Sequence, residues 1–503
     1  MFPRLRFYWV VAVCGAVLMA LEILSSRILA PHYGNSVYVW GSIISVFLGA
    51  LSLGYLLGGR LADRQPSMAA LGRMVALAAA CEAVLLLFGP RLAAALAAFT
   101  GGNPAGTLLA TAVLFGPASV LLATVSPWAV RLAARDLGHL GNTAGRLFAL
   151  STLGSLGGTL ACTFLLIPFL ELRQTLGLLT AATALTACVA FAGSFRSEAP
   201  AAALSVLLLV FSIPAASIAT RGASDLIYER VTPYQTLQVY ERDGVRTLRS
   251  DRVPQAAVSL ADHESTLPYN RAAPAVLLIR PHPRRALIIG LGGGTIGRYL
   301  QARDPELDIH YVDIDPAIPE IAERFFFFQP GPRMRVTVED GRQFLHNSTE
   351  QWDLIYGDAY IGQSVPFHLT TVQFLDEVKR HLTPDGVFGL NLAGGLSDPF
   401  SQAIYRTMRE RFDSVYLFRV QSSFNALVVA TMNPEILSSA ELVQRGRELD
   451  RTMRFAPSLA TLATWRGEVS LDTVSIPILT DDFAPTDRLI RLGQGLRTPG
   501  KTP

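Results

Sequence analysis

The sequence predicts an α-helical polytopic membrane bundle followed by an α/β domain built on a mainly parallel sheet. The 503 residues carry 43 basic and 40 acidic side chains, yet only 18 of these charges fall within residues 1–220. This contrast is expected between segments that lie in a bilayer and a domain that lies in water. Apolar runs of spanning length recur through the first part, and short apolar runs alternate with helical patterns after residue 225.

Seven apolar segments are long enough to cross a bilayer, at roughly 20 residues each. They lie near residues 7–30, 37–59, 71–89, 107–130, 145–170, 174–193 and 200–219. Basic residues cluster on alternate connections, which predicts a cytoplasmic N-terminus. An odd number of crossings would leave the C-terminal half outside. We therefore expect a re-entrant segment or an eighth crossing in Leu92–Phe99, and a multi-pass inner or plasma membrane protein whose C-terminal domain is cytoplasmic.

Composition argues against two classes of function. The net charge is only +3, and no basic run is interleaved with aromatic residues, so we expect no nucleic-acid partner. The four cysteines all lie in apolar segments, and none is paired at the spacing of metal ligands. We therefore expect neither a disulfide framework nor a bound metal.

After the bundle, the pattern predicts a small β domain and then the α/β core. Residues 236–249 read as a hairpin around the turn pair Asp243-Gly244. The predicted core strands are Ala286–Gly290, Ile309–Ile314, Met334–Val338, Asp353–Tyr356, Val387–Leu392 and Leu427–Thr431. We therefore divide the chain into a helical bundle over 1–220, a β-hairpin domain over 221–280, a Rossmann-like domain over 281–435 and a C-terminal extension over 436–503.

A glycine-rich loop follows the first core strand and opens a helix. It reads Gly290-Leu291-Gly292-Gly293-Gly294-Thr295-Ile296-Gly297. Glycines let a backbone turn tightly and approach a ligand, whose polar groups then meet the helix N-terminus. Alone, the loop also suits a tight turn without a ligand.

Three carboxylates at the ends of successive strands strengthen the prediction of a nucleoside site. Asp313 comes about 20 residues after the loop, where an acidic side chain accepts bonds from ribose hydroxyls. Asp340, in Glu339-Asp340-Gly341, can accept a bond from the exocyclic adenine amine, and Asp358 follows the fourth strand. Each could instead cap a helix. Asp358 is the predicted reacting centre, since a carboxylate there can orient or deprotonate an attacking amine.

Together these residues resemble the spermidine synthase (polyamine aminopropyltransferase) family, in its membrane-fused branch, over roughly residues 225–435. Further matching segments are Pro233-Tyr234-Gln235, Asp251 to Gln255, Tyr269, Pro366 to Thr370, Leu382 to Gly386 and the tail Leu479 to Pro485.

The resemblance implies a class I methyltransferase-type fold and aminopropyl transfer from decarboxylated S-adenosylmethionine to a small-molecule amine. It implies donor contacts from the loop and strand ends: Gln235, Gly290, Gly292, Gly293, Gly294, Thr295, Asp313, Ile314, Asp340 and Gly341. It also implies that Asp358 is catalytic and that Gln255, Tyr269 and Tyr360 bind the substrate. The lipid bilayer is a second expected partner, and a homo-oligomer is left open.

Departures from the family pattern leave two alternatives. Where the family has G-G-G-D-G-G, this chain has Thr295 in place of the acidic residue; Asp358-Ala359-Tyr360-Ile361-Gly362 and Tyr269-Asn270-Arg271 lose further carboxylates. An aspartate at position 295 would repel the carboxylate of intact S-adenosylmethionine. The first alternative is therefore a methyltransferase that uses the intact donor on an amine or a membrane-associated acceptor. The second is a non-catalytic adenosyl-ligand sensor on a half-transporter.

Overall fold

The protein is described by a computed structural model. The described residues are 2–33, 36–100, 103–133, 140–216, 225–251, 253–360, 365–395, 398–468, 476–486 and 488–490. The chain divides into two compact units, Met1–Arg221 and Gly222–Pro503.

The first unit is a bundle of α-helices. Their bounds are α1 Phe2–Tyr33, α2 Val37–Arg64, α3 Met68–Thr100, α4 Pro104–Ala123, α5 Val125–Ala133, α6 Leu140–Ala161, α7 Ile167–Phe169, α8 Leu172–Phe191 and α9 Ala199–Ala216, with a π-helical turn over Cys162–Leu166 between α6 and α7. Within the described residues, six helical stretches are long and apolar enough to cross a membrane. They are Arg6–Tyr33, Val37–Arg64, Met68–Thr100, Pro104–Ala133, Leu140–Phe169 and Leu172–Phe191.

The prediction of a separate crossing in Leu92–Phe99 is wrong. These residues continue α3, which runs unbroken for 33 residues through Pro90 to Thr100. Alanine and leucine favour the helix strongly enough to extend it past the proline. The seventh predicted segment coincides with α9, whose apolar stretch Ala199–Ser212 is shorter than the other six.

Two contacts between helices of the bundle depend on particular residues. A Cβ atom at Gly154 would lie 2.1 Å from the Ala12 carbonyl oxygen, and one at Gly158 would lie 2.1 Å from that of Ala16. The two glycines therefore let α6 approach the backbone of α1. Glu82 in α3 is fully buried and accepts a hydrogen bond of 3.0 Å from Thr183 in α8.

The second unit begins with a four-stranded antiparallel sheet of β1 Leu226–Val231, β2 Thr236–Arg242, β3 Val245–Ser250 and β4 Val253–Ser259. Asp243 and Gly244 join β2 to β3 with φ angles of +50° and +74°, as a two-residue hairpin with the twist of its strands requires. The inner side chains of this sheet, including Leu237, Val239 and Leu248, belong to the same hydrophobic cluster as Ile288 of the following core.

The core of the second unit is an eight-stranded sheet. Its strands are β5 Arg285–Ile289, β6 Asp308–Asp313, β7 Met334–Val338, β8 Trp352–Gly357, β9 Leu382–Leu392, β10 Ser414–Arg419, β11 Ala426–Thr431 and β12 Arg466–Gly467, in the order β12-β10-β11-β9-β8-β5-β6-β7. The helices are α10 Pro268–Ala272, α11 Thr295–Gln301, α12 Ala317–Phe325, α13 Gly341–Asn347, α14 Val372–His381, α15 Pro399–Arg411, α16 Ser439–Leu449 and α17 Leu459–Ala463. Short 3₁₀ turns lie at Ala273–Leu278 and Phe367–Leu369.

The sheet is mixed, and the order of its strands reverses at β5. Strands β5 to β9 are parallel, whereas β10, β11 and β12 pair antiparallel beyond β9. The chain leaves β5 toward β6 and β7 and then returns to place β8 on the other side of β5. In open α/β sheets such a switch point opens a crevice at the carboxyl ends of the strands.

Candidate active site

The carboxyl ends of four neighbouring strands meet at this crevice. Gly290 follows β5, Asp313 ends β6, Asp340 comes two residues after β7, and Asp358 follows β8. Parallel strands bring these ends to one edge although the residues are up to 68 positions apart in the chain.

We call the cavity at this edge the donor cavity. It is lined by Tyr234, Gln235, Leu237, Gln255, Ile289, Gly290, Leu291, Gly292, Gly293, Thr295, Ile296, Tyr311, Val312, Asp313, Ile314, Ile318, Asp340, Gly341, Asp358, Ala359, Tyr360, Pro366, His368 and Leu369. The structure thus gathers every donor-contact residue predicted from the sequence except Gly294, together with the predicted catalytic residue Asp358.

The glycine-rich loop has positive φ angles at Gly290, Gly292 and Gly294. Gly290 has a φ of +100°, and a Cβ atom there would lie 2.4 Å from the carbonyl oxygen of Asp358. Gly294 has a φ of +65° and faces Phe328, so it shapes the start of α11 and does not line the cavity. Gly290 therefore lets the loop pass close to the residue predicted to react.

Asp313 is held by the loop that it faces. Its carboxylate accepts hydrogen bonds from the backbone N–H groups of Leu291 at 2.8 Å and Asp315 at 3.0 Å. Burial raises the pKa of Asp313 to about 6, and these hydrogen bonds oppose the rise. A carboxylate can accept more bonds than these two, so Asp313 can also accept from ribose hydroxyls.

Asp340 both caps a helix and lines the cavity. Its Oδ1 accepts from the N–H groups of Arg342 and Gln343 at the start of α13, each at 3.0 Å. Its Oδ2 lies 2.9 Å from His368 Nε2. This hydrogen bond is the main cause that lowers the pKa of Asp340 below its usual value. The helix-capping alternative and the ligand-binding role are therefore compatible at this residue.

Burial and hydrogen bonding shift the pKa of Asp358 in opposite directions. Burial raises its pKa to about 7, and a 2.9 Å hydrogen bond from Asn391 Nδ2 lowers it. Asn391 in turn accepts a hydrogen bond from Asn425 Nδ2 at 2.9 Å. A carboxylate that titrates near neutral pH can exchange a proton with a reacting amine.

Two residues at the cavity wall are tied to neighbours by their side chains. Gln235 donates to Asp315 Oδ2 at 3.3 Å and accepts from Ser250, so its amide braces the wall. Thr295 Oγ1 accepts a 2.7 Å hydrogen bond from Asn270 Nδ2. Thr295 stands where the family's G-G-G-D-G-G pattern has its acidic residue, and neither Thr295 nor its partner Asn270 carries a charge.

A second cavity adjoins the donor cavity and shares Gln255 and Tyr360 with it. It contains all three predicted substrate-binding residues. The hydroxyl of Tyr269 donates to the Gln255 carbonyl at 2.8 Å, and that of Tyr360 donates to the Asn391 carbonyl at 2.6 Å. Burial raises the pKa of both tyrosines well above the usual range, so both remain neutral donors near pH 7.

Three residues of the site were not predicted from the sequence as functional. They are His368, Asn391 and Asn270. His368 lies in a segment that carries the family resemblance, which was an available signal, and Asn270 directly follows the matching residue Tyr269. For Asn391 there was no such signal in the sequence, because the contact of Asn391 with Asp358 depends on the pairing of β8 with β9.

The chain has relatives among known proteins. Residues 272–419 match the family model described as "Spermine/spermidine synthase domain". A polyamine aminopropyltransferase of Vibrio vulnificus is 33% identical over 307 residues, which cover 57% of this chain and 96% of the relative. An eEF1A lysine and N-terminal methyltransferase of Bos taurus is 31% identical over 192 residues, which cover 35% of this chain and 27% of that protein.

Among solved structures, a probable spermidine synthase from Corynebacterium glutamicum aligns with 52% of this chain and 98% of its own, at 18% identity and a TM-score of 0.41. The relative from Vibrio vulnificus is matched over nearly its whole length at one third identity. The chain is therefore a transferase and belongs to the spermidine synthase (polyamine aminopropyltransferase) family.

Proposed function

We propose that the protein is a membrane-bound aminopropyltransferase that moves an aminopropyl group from decarboxylated S-adenosylmethionine to an amine. The observation that carries the proposal is the position of Asp358. It lies in the donor cavity, and its hydrogen-bond partner Asn391 lines the adjoining second cavity. A carboxylate at this junction can face the donor from one side and the acceptor from the other.

The reaction assigns a role to each group. The amine nitrogen attacks the propyl carbon next to the sulfonium, a C–N bond forms, and the C–S bond breaks with its electron pair going to sulfur. The leaving thioether, 5′-methylthioadenosine, is neutral and needs no acid. The attacking nitrogen must lose a proton, and ionised Asp358 can accept it. Asp313 and Asp340 hold the ribose and the adenine amine and so fix the donor for in-line attack.

A second candidate is methyl transfer from intact S-adenosylmethionine. The observation that favours it is that Thr295, which lines the donor cavity, is uncharged and has the uncharged Asn270 as its hydrogen-bond partner. A carboxylate on the donor meets no like charge at these two residues, so the discrimination that an acidic residue would supply is missing. The methyltransferase among the relatives acts on eEF1A by its name, and this chain spans about a quarter of that protein.

Product analysis separates the candidates. The full chain in detergent or lipid nanodiscs would be incubated with each donor and a panel of amines, and the products identified by mass spectrometry. Aminopropylated amines from the decarboxylated donor support the proposal. Products that are only methylated would replace it with the second candidate, and binding of either donor with no turnover of any amine would favour the non-catalytic sensor.

The membrane location and the cytoplasmic position of the catalytic unit are part of the same proposal. The six helical stretches of spanning length and composition within the described part of the chain support membrane insertion. An even number of crossings from a cytoplasmic N-terminus places the second unit in the cytoplasm, where adenosyl sulfonium donors are supplied.

A further inference from the structure

The carboxylate of Asp340 keeps one acceptor position for a ligand. A carboxylate has about four acceptor positions, two on each oxygen. Oδ1 accepts from the backbone N–H groups of Arg342 and Gln343, each at 3.0 Å, and Oδ2 lies 2.9 Å from His368 Nε2. Described groups therefore fill three positions. Because Asp340 lines the donor cavity and its side chain is 24% exposed, the fourth position, on Oδ2, can receive a hydrogen bond from a ligand.

The contact with Asp340 assigns the proton of the His368 ring. An ionised carboxylate only accepts, so Nε2 carries a proton whether the ring is neutral or cationic. The hydrogen bond from His368 is also the main cause that holds the pKa of Asp340 below its usual value. Asp340 is therefore ionised near neutral pH, and a ligand group that meets its Oδ2 in the donor cavity must donate a hydrogen bond.

The backbone that carries His368 is itself held by its neighbours. His368 lies in the 3₁₀ turn Phe367–Leu369. The Thr370 hydroxyl donates to the Phe367 carbonyl at 2.7 Å, and Arg342 Nη1 donates to the His368 carbonyl at 3.2 Å. A ring that is supported in this way holds Oδ2 of Asp340 in one orientation. The remaining acceptor position of that oxygen then points in one direction only.

Adenine and hypoxanthine differ at the group that this acceptor position would meet. Adenine carries an exocyclic amine, which donates a hydrogen bond to the charged oxygen. Hypoxanthine carries a carbonyl oxygen instead, and that oxygen would face the carboxylate with no proton between them, which is costly away from water. Hypoxanthine also has a proton on the neighbouring ring nitrogen N1. A carboxylate that is free to pivot could turn to this proton, whereas one that is held at both oxygens cannot.

We propose that His368 is a positioning residue through which the donor cavity selects adenine over hypoxanthine. The imidazole ring holds Asp340 with its open acceptor position toward the exocyclic amine and prevents the carboxylate from turning to N1–H. The inference rests on the proposed function, because it assumes that an adenosyl ligand occupies the donor cavity. It does not depend on whether the donor transfers an aminopropyl or a methyl group.

A matched pair of nucleosides tests this selection. 5′-Methylthioadenosine and 5′-methylthioinosine differ only in the base, and calorimetry with the full chain in detergent measures their dissociation constants. We expect the wild type to bind the adenosine compound about 10- to 100-fold more tightly, as for one hydrogen bond to a charged group. In His368→Ala we expect this ratio to fall to about threefold or less. A wild-type ratio in His368→Ala, even with both affinities lowered, would overturn the inference.

Two amide variants separate the hydrogen bond from the space that the ring fills. The amide nitrogen of glutamine can reach nearly the position of the histidine Nε2, whereas that of asparagine lies near the position of Nδ1. We expect His368→Gln to restore most of the preference for adenine and His368→Asn to behave like His368→Ala. Loss of the preference in His368→Gln, or its full retention in His368→Asn, would contradict a role that depends on the bond to Asp340.

A second histidine near the same helix supplies the control. The side chain of His346 is 65% exposed, lies 3.5 Å from Glu377 and does not line the donor cavity, so His346→Ala should keep the wild-type ratio. An equal change of the ratio in His346→Ala and His368→Ala would overturn the inference.

Failure of this inference and failure of the proposed function give different results. Equal binding of the two nucleosides by the wild type would overturn the inference and leave the proposed function standing. Binding of neither nucleoside would count against the proposed function and against the inference that rests on it.

Discussion

Asp358 is largely buried, and two amide side chains in series hold its carboxylate in place. Asn391 donates to its carboxylate at 2.9 Å, and Asn425 fixes the orientation of Asn391. The sulfonium of the donor would add a positive charge to the same cavity, which favours the ionised form. The carboxyl group of Asp358 is therefore only partly ionised near pH 7 in the free protein. It becomes more fully ionised once the cationic donor is bound.

This predicts the pH dependence of the reaction. The pKa of Asp358 is raised to about 7 in the free protein, so the carboxylate that accepts the proton is lost as the pH falls below 7. We expect kcat/KM to fall with a limb near pH 7 and kcat to fall at a lower pH, because the cationic donor lowers the pKa of Asp358 in the complex. A pH profile from pH 5 to 9 measures both.

Asn391→Leu should move that limb. The substitution removes one hydrogen bond to the ionised form, so the pKa of Asp358 rises and the kcat/KM limb shifts to higher pH. Asn347→Leu is the control, since the exposed Asn347 donates at 3.3 Å to Glu339 and neither residue lines the donor cavity. An unshifted limb in Asn391→Leu would contradict the role given to this pair.

The substitution Gly290→Ala tests whether the loop must pass close to Asp358. We expect Gly290→Ala to destabilise the fold by about 1–2 kcal/mol from its positive φ alone and to weaken donor binding at least about tenfold, because the new Cβ atom meets the Asp358 carbonyl. Gly331→Ala is the control, since a Cβ atom there meets nothing within 4 Å. Thermal unfolding and calorimetry measure both effects. Equal affinity in the two variants would contradict this account.

At the residue scale, the sequence was most informative where one side chain follows a strand. Asp313, Asp340 and Asp358 each follow an apolar run, and the common edge of a parallel sheet brings them to one cavity. Asn391 could not be found in this way. It reaches Asp358 because Gly357 pairs with Leu390 in the register of β8 and β9, and a register is not visible in one sequence.

At the scale of elements, a segment near the C-terminus packs on the core beside the donor cavity. Asp481 accepts hydrogen bonds from Arg342 at 2.8 and 2.7 Å and from the Thr371 hydroxyl at 2.7 Å. Arg342 also donates to the His368 carbonyl at 3.2 Å. The segment therefore links the start of α13 and the start of α14 to the turn that carries His368.

Asp481→Asn should loosen this link. We expect a loss of about 1 kcal/mol in the free energy of unfolding, since both partners are partly exposed, and a rise of severalfold in KM for the donor as His368 loses its support. Glu306→Gln is the control, because Glu306 pairs with Arg333 at 2.7 Å on the surface. An equal effect on KM in the two variants would contradict the positioning role of the segment.

Elements whose own residues give a weak apolar pattern were the hardest to predict. Strand β10, Ser414–Arg419, was missed because its polar ends weaken the apolar run, although its central residues Tyr416 to Phe418 are buried. It is a strand because β11 pairs with it antiparallel along all six residues. The glycine-rich loop and the hairpin at Asp243-Gly244 were predictable because their geometry is set locally by residue type.

At the scale of the whole molecule, the outer surface of the bundle is apolar. Leu48, Leu153, Phe164 and Val210 are each between 59% and 66% exposed. Water would make such a surface costly, whereas lipid covers it without penalty. This supports the proposal that the bundle lies in a membrane. The side of the membrane on which the second unit lies then depends on the number of crossings.

Cysteine labelling can decide that position. The four native cysteines lie in α1, α3, the π-helical turn and α8, so alanine replacements give a background without thiols. We expect a cysteine at the exposed Glu323 to react with a membrane-impermeant maleimide only after permeabilisation. A cysteine at Ala105, at the start of α4, should react in intact spheroplasts and is the control. Labelling at position 323 in intact spheroplasts would place the second unit outside.

The account depends most on the convergence of the strand-end carboxylates on one adenosyl site. Titration of 5′-methylthioadenosine into the full chain in detergent tests this directly, with Asp313→Asn beside the exposed control Asp385→Asn. We predict saturable binding to the wild type, retained by the control and weakened about 10- to 100-fold in Asp313→Asn, as expected for hydrogen bonds to a charged group. No binding to the wild type, or equal affinity in both variants, would contradict the account.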